Sequence, residues 1–272
     1  MRHEFHTPEP IELDAEINAG QLTVNAVETT QSVVTISGED ADRYDVEHDG
    51  SQLRITAPRQ NFFGLNTRPV VIVVEVPTGS HVDIRSGSAE VRTTGDLSRC
   101  TCKSGSGAIH VQQTQGPTVL TTGSGEIRIE SASDHLRAKS GSGDIGVGTV
   151  HGSLGATCGS GTIRVGRIFG PARLKTGSGD VVIDEVHAET GITTGSGDIA
   201  VGAQRRDTFT AKTASGQISV GAPADMPVWT DLSSVSGRIR SALTGHGEPA
   251  PGQEYLTVRA STVSGDISLH QV

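Results

Sequence analysis

A glycine-rich octet, Thr176-Gly-Ser-Gly-Asp-Val-Val-Ile183, recurs along this chain at a fixed interval, and that interval limits the possible folds more than any other feature. With the residue before the acid as marker, copies stand at Ala89, Gly107, Gly125, Gly143, Gly161, Gly179 and Gly197, a step of 18 residues each time. Three more follow at Gly216, Gly237 and Gly265, with steps of 19, 21 and 28. A constant period of this size marks a repeat architecture, in which each unit buries its apolar face only against its neighbours.

Columns read at the 18-residue step show what is stacked. One runs Val91, Ile109, Ile127, Ile145, Ile163, Val181, Ile199, and another, two residues on, runs Thr93, Val111, Ile129, Val147, Val165, Ile183, Val201. Nearly all are β-branched, as expected for the inward side of a strand. Between them lies the mixed column Arg92, His110, Arg128, Gly146, Arg164, Val182, Ala200, which suits solvent. A second strand precedes the glycines, with columns passing through Cys100, Thr118, Leu136 and through Cys102, Leu120, Ala138. On the same face stands a hydroxyl-rich column, Ser104, Thr122, Ser140, Cys158, Thr176, Thr194, whose members are expected to hydrogen-bond up and down the column. The inward series is even at Thr176 and Ser178 but odd at Val181 and Ile183. Such a break needs a bend, so Gly107, Gly125, Gly143, Gly161, Gly179 and Gly197 read as structural turn glycines that supply backbone angles other residues reach only at a cost.

These patterns predict an all-β fold: a parallel β-solenoid of about ten or more coils, stacked at about 4.8 Å per level. One domain is expected over residues 1–272, with irregular coils at 1–84, regular repeats at 85–221, and further coils at 222–272 interrupted by a turn-rich loop at 241–257. The final copy ends in Ile267-Ser-Leu-His-Gln-Val272 and reads as an uncapped terminal coil whose exposed edge is a template for another chain. Phe62, Phe63 and Leu65 lie in an early loop that either presents apolar side chains to a partner or caps the core, aromatic residues being only 3% of the chain.

Composition narrows the chemistry. A net charge of −9 argues against nucleic acid and against anionic membrane surfaces, and no apolar stretch suggests a leader or membrane insertion, so a cytoplasmic location is expected. Cys100, Cys102 and Cys158 sit in columns otherwise filled by small or apolar residues and read as buried packing. The acidic column Glu90, Glu126, Asp144, Asp180, Asp198 supplies one acid per coil and is broken at Ala108 and Thr162. That suits corner residues bonded to backbone better than calcium ligands, so no metal or other cofactor is expected. Gly-Ser-Gly leads into a strand rather than a helix and lacks the lysine of a nucleotide loop. His81, His110, His135, His151, His187, His246 and His270 show no metal spacing, and Arg92, Arg128 and Arg164 read as solubilising charges.

The repeated Gly-Ser-Gly-Asp-Ile motifs, Val-Glu-Val-Pro77 before His81-Val-Asp-Ile84, and Thr262-Val-Ser-Gly-Asp-Ile267 resemble the bacterial putative-adhesin family of β-strand-repeat proteins, a domain family of unknown function. The resemblance runs from about residue 10 to 272. It implies a β-solenoid without known catalysis and brings no catalytic or binding residues with it. Three functions stand as expectations: a non-enzymatic scaffold presenting loops to a protein partner, a structural protein self-associating through terminal coils, and, least favoured, a polysaccharide-active enzyme.

Overall fold

A computed structural model of the chain describes residues 1–58, 68–243 and 254–272. They form two compact units, 1–140 and 141–272, each built from two largely parallel sheets. Each unit is a β-solenoid in which one coil contributes a strand to sheet A, turns a corner, and contributes a strand to sheet B.

In unit 1 the regular part of sheet A stacks Glu90–Leu97, Ile109–Thr114 and Ile127–Ala132, and that of sheet B stacks Arg99–Ser104, Thr118–Thr122 and Leu136–Ser140. The pairing register is the sequence period itself. Ile109 lies between Val91 and Ile127, and Leu120 between Cys102 and Ala138. In unit 2 sheet A continues the same rule through Ile145–Val150, Ile163–Ile168, Val181–Val186 and Ile199–Gln204. Both aliphatic columns are buried, so each coil adds apolar area to its neighbours while its outward side stays wet.

Sheet A has a third inward column that the sequence reading did not draw. Thr114 and Ala132 in unit 1, and Val150, Ile168, Val186 and Gln204 in unit 2, are all buried. They are three residues beyond the second column, so the strand reverses its inward parity a second time. The parity break at the glycines also falls elsewhere than expected: Ser178 is exposed, and the even series stops at Thr176. Gly179, buried, begins the odd series.

Both units depart from sequential stacking. In unit 1 the coil made of Glu12–Ile17 and Gly20–Val27 lies between His81–Ser86 with Glu90–Leu97 on one side and Gln52–Thr56 with Val70–Pro77 on the other. The early residues therefore continue the stack, in exchanged order. They end it with antiparallel strands: Gln31–Ser37 on Val70–Pro77, Arg2–His6 on Gln31–Ser37, and Asp45–Asp49 on Gln52–Thr56. In unit 2 the coil 256–271 is inserted between Thr208–Ser215 with Ile218–Ala222 and Val228–Ser236 with Ile239–Ser241. The expectation of an uncapped last coil is thereby corrected, because Leu256–Ser264 and Ile267–Gln271 are paired along both edges. The outermost coil is the earlier one, 228–241. Glycine markers follow this order, Gly265 lying over Gly216 and Gly237 over Gly265.

The exchange makes a measurable ranking. Backbone amides of Ile267–Gln271 will exchange with deuterium more slowly than those of Ile239–Ser241. The opposite ranking would restore sequential stacking.

Candidate functional site

The chemistry-bearing residues of the repeat gather at the Gly-Ser-Gly corner. In unit 2 the Thr176 hydroxyl accepts from the Gly179 amide three residues ahead (3.1 Å) and donates to the Gly161 carbonyl of the preceding coil (3.3 Å). Cys158 uses its sulfur in the same two ways, with the Gly161 amide and the Gly143 carbonyl. Thr194, Thr213, Thr262 and Ser234 donate to Gly179, Gly197, Gly216 and Gly265 respectively. In unit 1 Thr122 and Ser140 donate to Gly107 and Gly125. These members of the hydroxyl column therefore bond to glycine backbone rather than to one another, each fastening its own corner to the one beneath, whereas the buried Ser104 hydroxyl has no partner among the described residues.

The glycines are required for a related reason. A Cβ on Gly107, Gly125, Gly161, Gly179 or Gly197 would overlap the carbonyl of the marker residue one coil back, Ala89, Gly107, Gly143, Gly161 and Gly179 in turn. None of these five has φ in the left-handed region. These five corners need closeness between stacked backbones rather than unusual dihedral angles, whereas Gly216 (φ 159°) and Gly265 (φ 154°) combine the same closeness with a positive φ. A left-handed glycine does occur at Gly95 (φ 77°), where the strand Glu90–Leu97 bulges against Ile109–Thr114 and the Gln112 side chain takes the Gly95 amide.

The corner acids extend the ladder outward. Asp144, Asp180 and Asp198 each accept the amide of the equivalent residue one coil on: Thr162 (2.8 Å), Asp198 (2.9 Å) and Gln217 (2.7 Å). Asp266 does the same for Arg238, in keeping with the exchanged order. Each carboxylate is thus committed to backbone. Among the described residues no cluster of three or more His, Cys, Asp or Glu is arranged to hold a metal.

The remaining candidates resolve into packing and surface pairs. Cys100 and Cys102 are fully buried with their sulfurs 3.6 Å apart, and the Cys100 hydrogen bond together with burial pushes the Cys102 thiol well up, away from a reactive thiolate. Arg92, Arg128 and Arg164 lie against Glu90, Glu126 and Asp144 on the outer face of sheet A. His81, His110 and His187 each sit within 4 Å of a glutamate, with no ligand set around them. At the second corner of unit 2 the rings of His151, Phe169 and His187 stack with centroids 5.0 and 4.8 Å apart, which accounts for the exposed Phe169. Phe62, Phe63, Leu65 and His246 lie outside the described residues, as does most of the 241–257 loop.

One surface has an unfinished edge. Val228–Ser236 and Ile239–Ser241 pair along one side only among the described strands, and Val235 is 79% exposed, with Trp229 and Ile239 near half. Arg259 sits over the Trp229 ring at 5.6 Å. The outer strands of unit 1 contrast with this edge: Arg2–His6 and Asp45–Asp49 read RHEFH and DVEHD, charged and antiparallel.

Two measurements probe these interactions. Thr176→Val leaves the Gly179 amide and the Gly161 carbonyl without their partner and will lower unfolding free energy by about 1–3 kcal/mol, whereas Thr176→Ser will cost less. Separately, the hydrogen bond from Arg205 (2.7 Å), aided by nearby His187, holds the Glu185 carboxyl below its ordinary value. This stabilisation is complete above the usual glutamate range and fades as pH falls through the lowered pKa. An NMR titration will show a depressed Glu185 midpoint that Arg205→Gln returns toward normal.

Comparison with known proteins places the chain by sequence and fold. The model of the Toastrack DUF4097 family matches residues 11–168 and again 169–270. A putative adhesin from Parabacteroides distasonis is similar in structure, with a TM-score of 0.50 at 10% identity over 98% of this chain and 96% of that one. A putative adhesin from Parabacteroides merdae gives 0.47 at 11% identity (99% and 95% covered), and a putative lipid binding protein from Parabacteroides distasonis gives 0.45 at 17% (99% and 96%). No curated protein matches.

Proposed function

We propose that this chain, which belongs to the Toastrack DUF4097 family, is a non-enzymatic interaction protein that engages its partner through the open edge of coil 228–241. The observation that carries this reading is the contrast between edges. Natural sheets blunt exposed edges with charge, and the outer strands of unit 1 follow that rule. Val228–Ser236 does not: its sequence is VWTDLSSVS, with a single charge, and Val235 and Ile239 stand in solvent. Such an edge accepts an added strand, which pairs with free amides and carbonyls while apolar side chains supply the area.

The corner chemistry supports a structural role. The Cys158 thiol, the corner aspartates and the hydroxyls of Thr122, Ser140, Thr176 and Thr194 are hydrogen-bonded to backbone, so they hold the stack together. The simplest strand available to the open edge is the same edge of a second copy.

Light scattering on a sizing column, over a hundredfold concentration range, tests this. Mass is expected to rise toward twice the chain mass of 28.2 kDa, and Val235→Lys with Ile239→Lys should hold the protein monomeric while leaving its circular dichroism unchanged. A wild-type protein that stays monomeric throughout overturns the edge as an association surface.

A further inference from the structure

Net charge conceals how charge is distributed over each unit. In unit 1 the sheet B strands Arg99–Ser104, Thr118–Thr122 and Leu136–Ser140 contain no Asp or Glu, yet carry Arg99, Lys103, Arg137 and Lys139. In unit 2 the strands Leu154–Cys158, Ala172–Thr176, Thr190–Ser196, Thr208–Ser215 and Leu256–Ser264 are equally free of acid and carry Arg173, Lys175, Lys212 and Arg259. Acids are abundant elsewhere in a chain with 31 of them against 22 Lys and Arg. Over these consecutive strands acids are absent, and on the same face they return in the adjoining strands, with Asp83 beside Thr101 in unit 1 and Asp231 beside Arg259 in unit 2.

These cations point outward, are exposed, and are unpaired. Arg99, Lys103, Arg137, Lys139, Arg173, Lys175 and Lys212 enter none of the ion pairs among the described residues. On sheet A Arg92, Arg128 and Arg164 each lie against a carboxylate, while Arg167 and Arg240 enter no ion pair among the described residues. The spacing is regular within each unit. Lys103 and Lys139 flank Thr121, and Lys175 and Lys212 flank Thr193, so the column reads Lys-Thr-Lys with cations two coils, or about 10 Å, apart. Arg137 beside Lys139, and Arg173 beside Lys175, add a second cation about 7 Å along the same strand.

The width of the face selects the ligand. Only two outward side chains fit on a five-residue strand, and both margins carry acids. Glu126, Asp180 and Asp198 stand at the glycine corners, and Asp134 and Glu189 at the other side. A broad anionic plane would meet those acids, whereas one extended chain lying along the ribbon avoids them. Other outward positions on these strands are Thr101, Val119 and Thr121 in unit 1 and Gly155, Thr157, Gly191 and Thr193 in unit 2, which include hydroxyls but no ring on which a base or sugar could stack.

We propose that these acid-free stretches of sheet B bind a linear polyanion whose charge resides in backbone phosphate groups, of the polyphosphate or polyol-phosphate class. Lys and Arg neutralise phosphates at intervals along the polyanion and threonine hydroxyls donate between them, so affinity comes mainly from counterion release. Apart from Arg259, which lies over Trp229, the face is separate from the open edge, and the variants below leave that residue intact, so the two readings stand or fall independently.

Calorimetric titration of the full chain with inorganic polyphosphate tests the proposal. Binding is expected at low ionic strength, with the logarithm of affinity falling linearly with that of salt concentration. The variant Arg137→Gln/Lys139→Gln/Arg173→Gln/Lys175→Gln should lose about tenfold or more. Arg128→Gln/Arg164→Gln, on sheet A, should bind as wild type. Absence of binding at low salt, equal losses in both variants, or tighter binding to phosphatidylglycerol vesicles, single-stranded DNA or polyuronate than to polyphosphate would overturn it. Thermal melts of both variants confirm that the comparison is between folded proteins.

Discussion

The close approach of one glycine corner to the next is the constraint on which the rest of the structure depends. Where the Gly179 Cα meets the Gly161 carbonyl there is no room for a methyl group, and the adjacent hydroxyl of Thr176 closes the gap by bonding both coils. The strand spacing on either side of the corner is then fixed, so the aliphatic columns meet in register without any further device. Hydrophobic burial supplies most of the stabilising free energy, but it is non-directional. Direction comes from the corner, repeated at each level.

This division explains what could be read from sequence. The aliphatic columns at Ile109 and Val111 and the 18-residue step are legible because each position faces the same surroundings in every coil. They gave the fold class and the register. The third inward column, Thr114 to Gln204, escaped because its members mix Thr, Ala, Val, Ile and Gln, and because a second parity reversal hides it from a search for alternation. The reason for the glycines was legible only in part: a sequence shows that glycine recurs, but a carbonyl lying against its Cα belongs to another coil.

Coil order at the ends was not legible at all. Gly20–Val27, Val70–Pro77 and Ile267–Gln271 display the inward pattern of any coil, and that pattern says which face is buried without saying which neighbour lies above. The cationic column of sheet B had a visible signal, Lys103, Thr121, Lys139, Thr157, Lys175 and Thr193 at the regular step. It lay between an aliphatic column and the hydroxyl column and was masked by an acidic total. A single net charge describes migration and solubility, whereas a repeat sorts its charges by side, so each column has to be summed separately.

The exchanged coil of unit 2 bears on the order in which the structure can be assembled. A strictly sequential stack can grow one level at a time behind the ribosome, each coil finding its seat already present. Coil 228–241 cannot, because the surface it rests on is made by residues 256–271, which are synthesised later. Until then it competes for the level above Ile218–Ala222, the seat that 267–271 finally occupies. Its docking therefore reports that the downstream segment has arrived, and an interrupted chain would leave it either unseated or one level out of place.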